Sequence, residues 1–275
     1  MTVAQADAQF AAWMKENLAT AAGRFGLTIT GEPVLGWRLR SISAAATRKD
    51  QLYWLRVVSQ EPEWAQGDSW TGTVDANSID GISKPRVLDV AEWDEGRRQR
   101  AEVMTMMPGE TCSPTDALRS PIDLPAQWWE SLGQFLGILA ATSTARTNTS
   151  QIRVTQRIEE RFGADVETVV DQWETVHGDL HWSNLVGPDF GLLDWELWGR
   201  GPRGTDAATL LCHSLLVPAV AADVHNRFRD VLDTSAGRIA QLYVVARLLH
   251  RIDNGDYPDL AEPLKRHASS LLASE

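Results

Sequence analysis

The 275 residues are 43% hydrophobic, a composition that can bury a sizeable core in one large domain or two lobes. No stretch approaches the roughly 20 apolar residues that span a bilayer. The opening Met-Thr-Val-Ala-Gln-Ala-Asp has no basic-then-apolar signal pattern, so a soluble cytoplasmic protein without a membrane partner is expected. The net charge of −11 is uneven: residues 1–108 carry 12 Lys+Arg against 14 Asp+Glu, and residues 109–275 carry 14 against 23. An acidic second half argues against nucleic acid as partner and is compatible with a cationic small molecule. Cys112 and Cys212 do not make a disulfide framework and are expected to be reduced.

Residues 4–22 have helical periodicity, with Phe10, Trp13, Met14 and Leu18 on one face. Val34 to Ile42 and Gln51 to Ser59 read as strands joined by a polar loop. Trp70 to Ile79 reads as a short helix. Arg86 to Trp93 and Ala101 to Met107 read as two further strands with Glu95-Gly96 at the turn between them. Pro108-Gly109 is a strong breaker, and the lobe boundary is expected there.

Beyond it the pattern turns helical. Pro125 opens a helix bearing Trp128, Leu132, Phe135, Leu136 and Leu139. Thr142 to Ser150 reads as a surface loop, and Gln151 to Phe162 and Asp165 to Trp173 read as helices. Four more helices are expected near 205–217, 221–232, 236–252 and 257–273. No internal repeat is present.

Between these helices lies His177-Gly-Asp-Leu-His-Trp-Ser-Asn184, followed by Leu193-Asp194-Trp195-Glu196. Thr175 to His177 reads as a short strand entering a loop. Leu185-Val186 and Leu192-Leu193 read as a hairpin around Gly187 to Gly191. That hairpin would return Asp194 to the loop carrying Asp179 and Asn184. Two carboxylates and an amide oxygen are the groups needed to deprotonate a hydroxyl and hold magnesium against a nucleoside triphosphate. His177-x-Asp179-x-His181 also has the look of a transition-metal cluster, which leaves a metal-dependent hydrolase as an alternative. Asn184 has no role in such a site, and no further His-rich segment stands nearby.

His-Gly-Asp-Leu-His-x-x-Asn followed by Asp-Trp-Glu resembles the catalytic and metal-binding loops of the aminoglycoside phosphotransferase family, which is grouped with choline kinases and other small-molecule kinases. The resemblance implies an α+β, bilobal protein-kinase-like fold. Residues 1–108 would form a small antiparallel-sheet lobe that binds nucleotide, and 109–275 a larger, mostly helical lobe for catalysis and acceptor binding. It implies a phosphotransferase that uses ATP or GTP with Mg2+ and moves the γ-phosphate to a hydroxyl of an aminoglycoside, amino alcohol or sugar. Asp179 would be the catalytic base, with Asn184 and Asp194 as metal ligands. His177 and Asp206 would brace the loop. His181, Trp182, Glu196 and Trp198 are candidates to line the acceptor, and Asp253, Asp256 and Asp259 to contact acceptor amines.

The chain departs from this pattern where the phosphates should be held. Kinase-like folds use a Gly-rich hairpin and a strand lysine. Here the hairpin Arg40 to Asp50 has no glycine, and Arg56 stands where the lysine is expected. Arginine keeps the charge and can fork two phosphate oxygens; Asp75 is the expected acidic partner. Met104, Met106 and Met107 would meet the adenine at the lobe junction. The altered cradle leaves open a degenerate kinase-like protein that binds ligand without transfer.

Overall fold

The structure, a computed structural model, describes residues 2–273 and divides into two compact units. The first comprises the residues up to Ser78 together with Lys84–Met107; the second comprises Ile79–Ser83 and the chain from Pro108 onward. Among the described residues no helix is long and apolar enough to cross a membrane.

The first unit opens with helix α1 (Val3–Phe25), whose start is a reciprocal cap. Thr2 Oγ1 accepts the Gln5 N–H at 3.3 Å, and Gln5 Oε1 accepts the Thr2 N–H at 2.9 Å. Gly26, at φ 62°, ends the helix in the left-handed conformation that costs glycine nothing. Strands β1 (Thr28–Ile29), β2 (Val34–Leu35), β3 (Ser41–Arg48) and β4 (Gln51–Gln60) follow. Helix α2 (Asp68–Asp75) precedes β5 (Val87–Glu95) and β6 (Arg97–Thr105). The sheet order is β1-β3-β4-β6-β5, with β2 also on β3, and every pairing is antiparallel. Met14, Leu18, Ala21 and Ala22 of α1 pack on Ile42, Ala44, Leu55, Val57, Ala101 and Val103.

The strand expected over Val34 to Ile42 is broken. A 3-10 turn at Trp37–Leu39, with Arg38 and Leu39 at φ 49° and 61°, separates β2 from β3. The segment read as a glycine-free hairpin loop is mostly the body of β3. Its Ile42, Ala44 and Ala46 are fully buried against the helix, where small side chains let α1 approach. The irregular segment lies before it and contains Gly31 and Gly36; a Cβ on Gly36 would sit 2.1 Å from Ser41 Oγ. Strand β6 begins at Arg97 rather than Ala101, turning directly from β5 at Gly96.

The second unit holds β7 (Glu110–Thr111), α3 (Ala126–Ala141), α4 (Gln151–Phe162), β8 (Trp173–Val176), β9 (Leu185–Gly187), β10 (Gly191–Leu192) and β11 (Gly199–Pro202). These are followed by α5 (Thr205–Ser214), α6 (Pro218–Leu232), α7 (Ser235–Asp253) and α8 (Ala261–Leu272). Every residue of α5 is buried, and α6 and α7 pack around it. No helix forms over Asp165 to Trp173. Glu167 Oε1 takes the N–H groups of Thr168 and Val169 at 2.9 and 2.7 Å, and Gln151 Oε1 takes that of Val170 at 2.9 Å. The backbone donors a helix would use are thereby captured by side chains. The Gly-Pro-rich Gly199–Pro202 pairs with β8 as β11, a strand hidden by its composition.

Candidate active site

Strand β8 delivers the chain into the loop 177–184, and α5 fixes the point of arrival. The Asp206 carboxylate, in the first turn of α5, accepts the backbone N–H of His177 at 2.7 Å and of Gly178 at 2.9 Å. Burial raises the Asp206 carboxyl to about 7, against the lowering effect of these two donors. Arg247 of α7 donates to the Gly178 carbonyl at 3.0 Å. Gly178 itself lies at φ 83°, and a Cβ there would meet Asn148 Nδ2 at 2.0 Å. Only glycine fits this turn.

Within the loop Asn184 Nδ2 donates to the Asp179 carbonyl at 3.0 Å. The amide nitrogen is committed to the loop, which presents the amide oxygen on the other side. The returning hairpin is tied to the same loop through both backbone groups of Leu193: its N–H donates to the Asn184 carbonyl at 2.8 Å, and its carbonyl accepts from His177 Nε2 at 3.0 Å. Asp194 follows, exposed and at φ 59°, a left-handed conformation rare for a residue other than glycine. Leu193 thus seats Asp194 beside Asn184.

The His177 ring is fully buried, edge-on to Trp195 at 4.9 Å, and burial lowers its pKa to about 4, so it stays neutral. Its Nε2 ties the loop to the returning hairpin at the Leu193 carbonyl. Among the described residues no group of three or more His, Cys, Asp or Glu is placed to hold a metal. The hard oxygens of Asn184 and Asp194 instead suit magnesium, which needs few protein ligands beside phosphate and water.

Asp179 is 22% exposed at its side chain, with Oδ2 3.3 Å from His181 Nε2 and Oδ1 3.7 Å from Arg247 Nη2. Burial alone would push its carboxyl up. The His181 charge and hydrogen bond, then Arg247, outweigh burial and hold Asp179 well below the usual carboxylate range. For His181 burial is likewise outweighed, by Asp179 and then Asp116, and its pKa is raised. Asp116 Oδ1 is 3.8 Å from His181 Nδ1 and accepts from Ser183 Oγ at 2.8 Å; its Oδ2 accepts from the Tyr257 hydroxyl. Arg251 lies 3.9 Å from Asp116 and 3.1 Å from Asp256. Nothing local in the sequence signalled Asp116, Arg247, Arg251 or Tyr257, because they converge from segments far apart in the chain. The one available hint was the Arg247/Arg251 spacing of one helical turn.

Several expected acceptor contacts lie elsewhere. Trp182 is fully buried, donates to Ser214 Oγ at 2.9 Å and stacks on Trp128, so it is core. Trp198 is 3% exposed beneath the Arg146 guanidinium, also as packing. Glu196 is half-buried, and its carbonyl accepts from Arg146 at 3.4 Å. Asp253, Asp256 and Asp259 are engaged by Arg161, Arg251 and Arg119, so these acids are already charge-compensated.

In the first unit Arg56 sits on β4, and the carboxylate of Glu102 lies 3.5 Å away on the neighbouring strand. Asp75 accepts from Thr71 Oγ1 at 2.5 Å. Met104 is buried in β6 opposite Trp54, Met106 is exposed and Met107 half-buried just beyond the strand.

No protein-family model matches this sequence, and no curated protein matches it. Solved structures do. A putative fructosamine-3-kinase from Haemophilus somnus 129PT is 12% identical over 93% of this chain and 96% of its own, with a TM-score of 0.54. A spectinomycin phosphotransferase solved with ADP and spectinomycin is 10% identical over 87% and 88%, at a TM-score of 0.48. An ethanolamine kinase from Plasmodium vivax is 13% identical over 87% and 81%, also at 0.48. Resting on the first of these, the chain has the protein-kinase-like fold found in small-molecule kinases, α+β, with a small antiparallel-sheet unit and a larger, mostly helical one.

Proposed function

We propose that this protein is a phosphotransferase that moves the γ-phosphoryl group of ATP or GTP to a hydroxyl of a small molecule. The observation that carries the reading is the pair of Leu193 backbone hydrogen bonds that tie the hairpin leading to Asp194 to the loop carrying Asp179 and Asn184. The first unit, 1–108 in the sequence reading, binds the nucleotide, with Arg56 on the phosphates and Met104, Met106 and Met107 near the base. The second unit, 109–275, provides catalysis and the acceptor site. A cytoplasmic setting, where nucleoside triphosphates are abundant, accords with this role.

Asn184 Oδ1 and the Asp194 carboxylate would hold Mg2+, which when bound neutralises charge on the β- and γ-phosphates. Asp179, kept ionised by His181 and Arg247, orients the acceptor hydroxyl and takes its proton at the carboxylate. His177 and Asp206 keep the loop in place. Catalysis rests mainly on positioning, because a carboxylate with so depressed a pKa is a weak base. The acceptor is an aminoglycoside, amino alcohol or sugar hydroxyl. With Arg247, Arg251 and His181 around Asp179, the acidity of the second half of the chain does not itself select a cation.

The test is a thermal-shift titration with ATP, GTP and a non-hydrolysable analogue, with and without magnesium. A ligand that binds the native state raises its apparent stability. A magnesium-dependent rise is expected; no rise with any nucleotide would remove the proposal.

A further inference from the structure

We infer that Glu102 is the positioning residue for Arg56, supplying from the adjacent strand the acidic brace that the sequence places on α2. The inference rests on the nucleotide reading above. Strands β4 and β6 pair in antiparallel register with Arg56 directly opposite Glu102. Their neighbours Leu55, Val57, Ala101 and Val103 point into the core against α1, so by strand alternation Arg56 and Glu102 share the opposite face of the sheet. Glu102 is 2% exposed at its side chain and Arg56 13%.

Burying a carboxylate that deeply is costly unless it is compensated, and two cations flank this one. Arg56 Nη1 is 3.5 Å from Oε2, and Arg100 Nε is 3.8 Å from Oε1. The two arginines are not equivalent. Arg100 is drawn towards Glu92 at 3.3 Å, donates to the Trp70 carbonyl and lies over the Trp70 ring at 5.4 Å. Arg100 therefore anchors α2 and β5, and Glu102 links that anchor to Arg56. At 3.5 Å the Arg56 contact restrains the guanidinium by charge rather than by a short hydrogen bond. A long side chain aimed in advance loses less conformational freedom when it meets a phosphate. Nothing local in the sequence points to this, since Glu102 lies within a strand rather than on a helix.

The experiment is calorimetric titration of the full chain with magnesium-ATP and, separately, with adenosine, which lacks phosphates. Wild type, Glu102→Gln, Arg56→Gln and the double variant are compared. Expected for Glu102→Gln is a loss of about tenfold in magnesium-ATP affinity with adenosine unchanged, the size of one charge-assisted contact. The double variant should bind as weakly as Arg56→Gln alone, because the brace has nothing left to hold. Should Glu102→Gln fail to fold, Glu102→Asp keeps the charge one methylene further back, and a several-fold loss confined to magnesium-ATP is expected. Unchanged magnesium-ATP affinity, equal losses for ATP and adenosine, or additive losses in the double variant would each overturn the inference. Absence of magnesium-ATP binding by the wild type would overturn the nucleotide reading, and this inference with it.

Discussion

Asn184 and Asp179 are joined by a hydrogen bond that uses the side chain of one and the backbone of the other, at 3.0 Å. The bond leaves the Asp179 carboxylate to its own partners and fixes the direction of the Asn184 amide. Under the proposed function the two residues take different chemical roles.

That division predicts separable losses. Asp179→Asn should lower turnover by at least about 10²-fold while nucleotide affinity stays near the wild-type value. Asn184→Leu should instead weaken magnesium-dependent nucleotide binding. Steady-state kinetics beside a magnesium titration distinguish them, and retained turnover in Asp179→Asn would end its assignment as base.

Asp206 satisfies two buried backbone donors at once. Asp206→Ala should cost about 2–6 kcal/mol in urea unfolding, since each of the two orphaned donors costs about 1–3 kcal/mol. Asp206→Asn, with one oxygen still able to accept, should lose less. Equal stability of all three proteins would mean that water replaces the carboxylate.

Gly178 combines φ 83° with a 2.0 Å approach of Asn148 Nδ2 to the position of a Cβ. Gly178→Ala should destabilise by about 1–3 kcal/mol from the backbone strain alone. Asn148→Gly in that background should relieve the clash and leave the strain. Thermal unfolding of the single and double variants reads the two contributions.

Three histidines set the response to acid. Burial, first among the causes in each, lowers His177 and His267 to about 4 and His213 to about 3. In the unfolded chain each would titrate near 6.5, so below that pH the unfolded state binds more protons. The contribution of these three should therefore be fully present above about pH 6.5 and be lost as pH drops towards 4. His181 and Asp206, both raised in the fold, work in the opposite sense. Unfolding midpoints between pH 4 and 8 test this, and His213→Gln should flatten the acid limb.

The helical second half, and the loop and hairpin of the candidate site, were legible because their signals are local: periodic apolar residues, and three oxygen-bearing side chains within sixteen positions. What escaped was non-local or depended on side chains capturing backbone. Asp165 to Trp173 failed as a helix because Glu167 and Gln151 took its N–H groups. Ala44 and Ala46 fell in the stretch read as a polar loop between two strands, yet they lie in β3, where the approach of α1 outweighs alanine's weak strand preference. Trp182 and Trp198 were read as pocket residues from their place in the motif, and burial shows them to be core. Arg247 and Asp116 could be joined to Asp179 only by the completed fold.

The Tyr257 hydroxyl reaches Asp116, and Arg119 grips Asp259 through two nitrogens at 2.9 and 3.1 Å, each across about 140 residues of chain. Arg247, late in the sequence, closes on Gly178. During synthesis on the ribosome the loop 177–184 emerges well before these partners do. The helical unit therefore cannot complete the surroundings of this loop until the chain has been made past residue 259, and a nascent chain halted before residue 247 would carry every motif residue without the framework that aligns them.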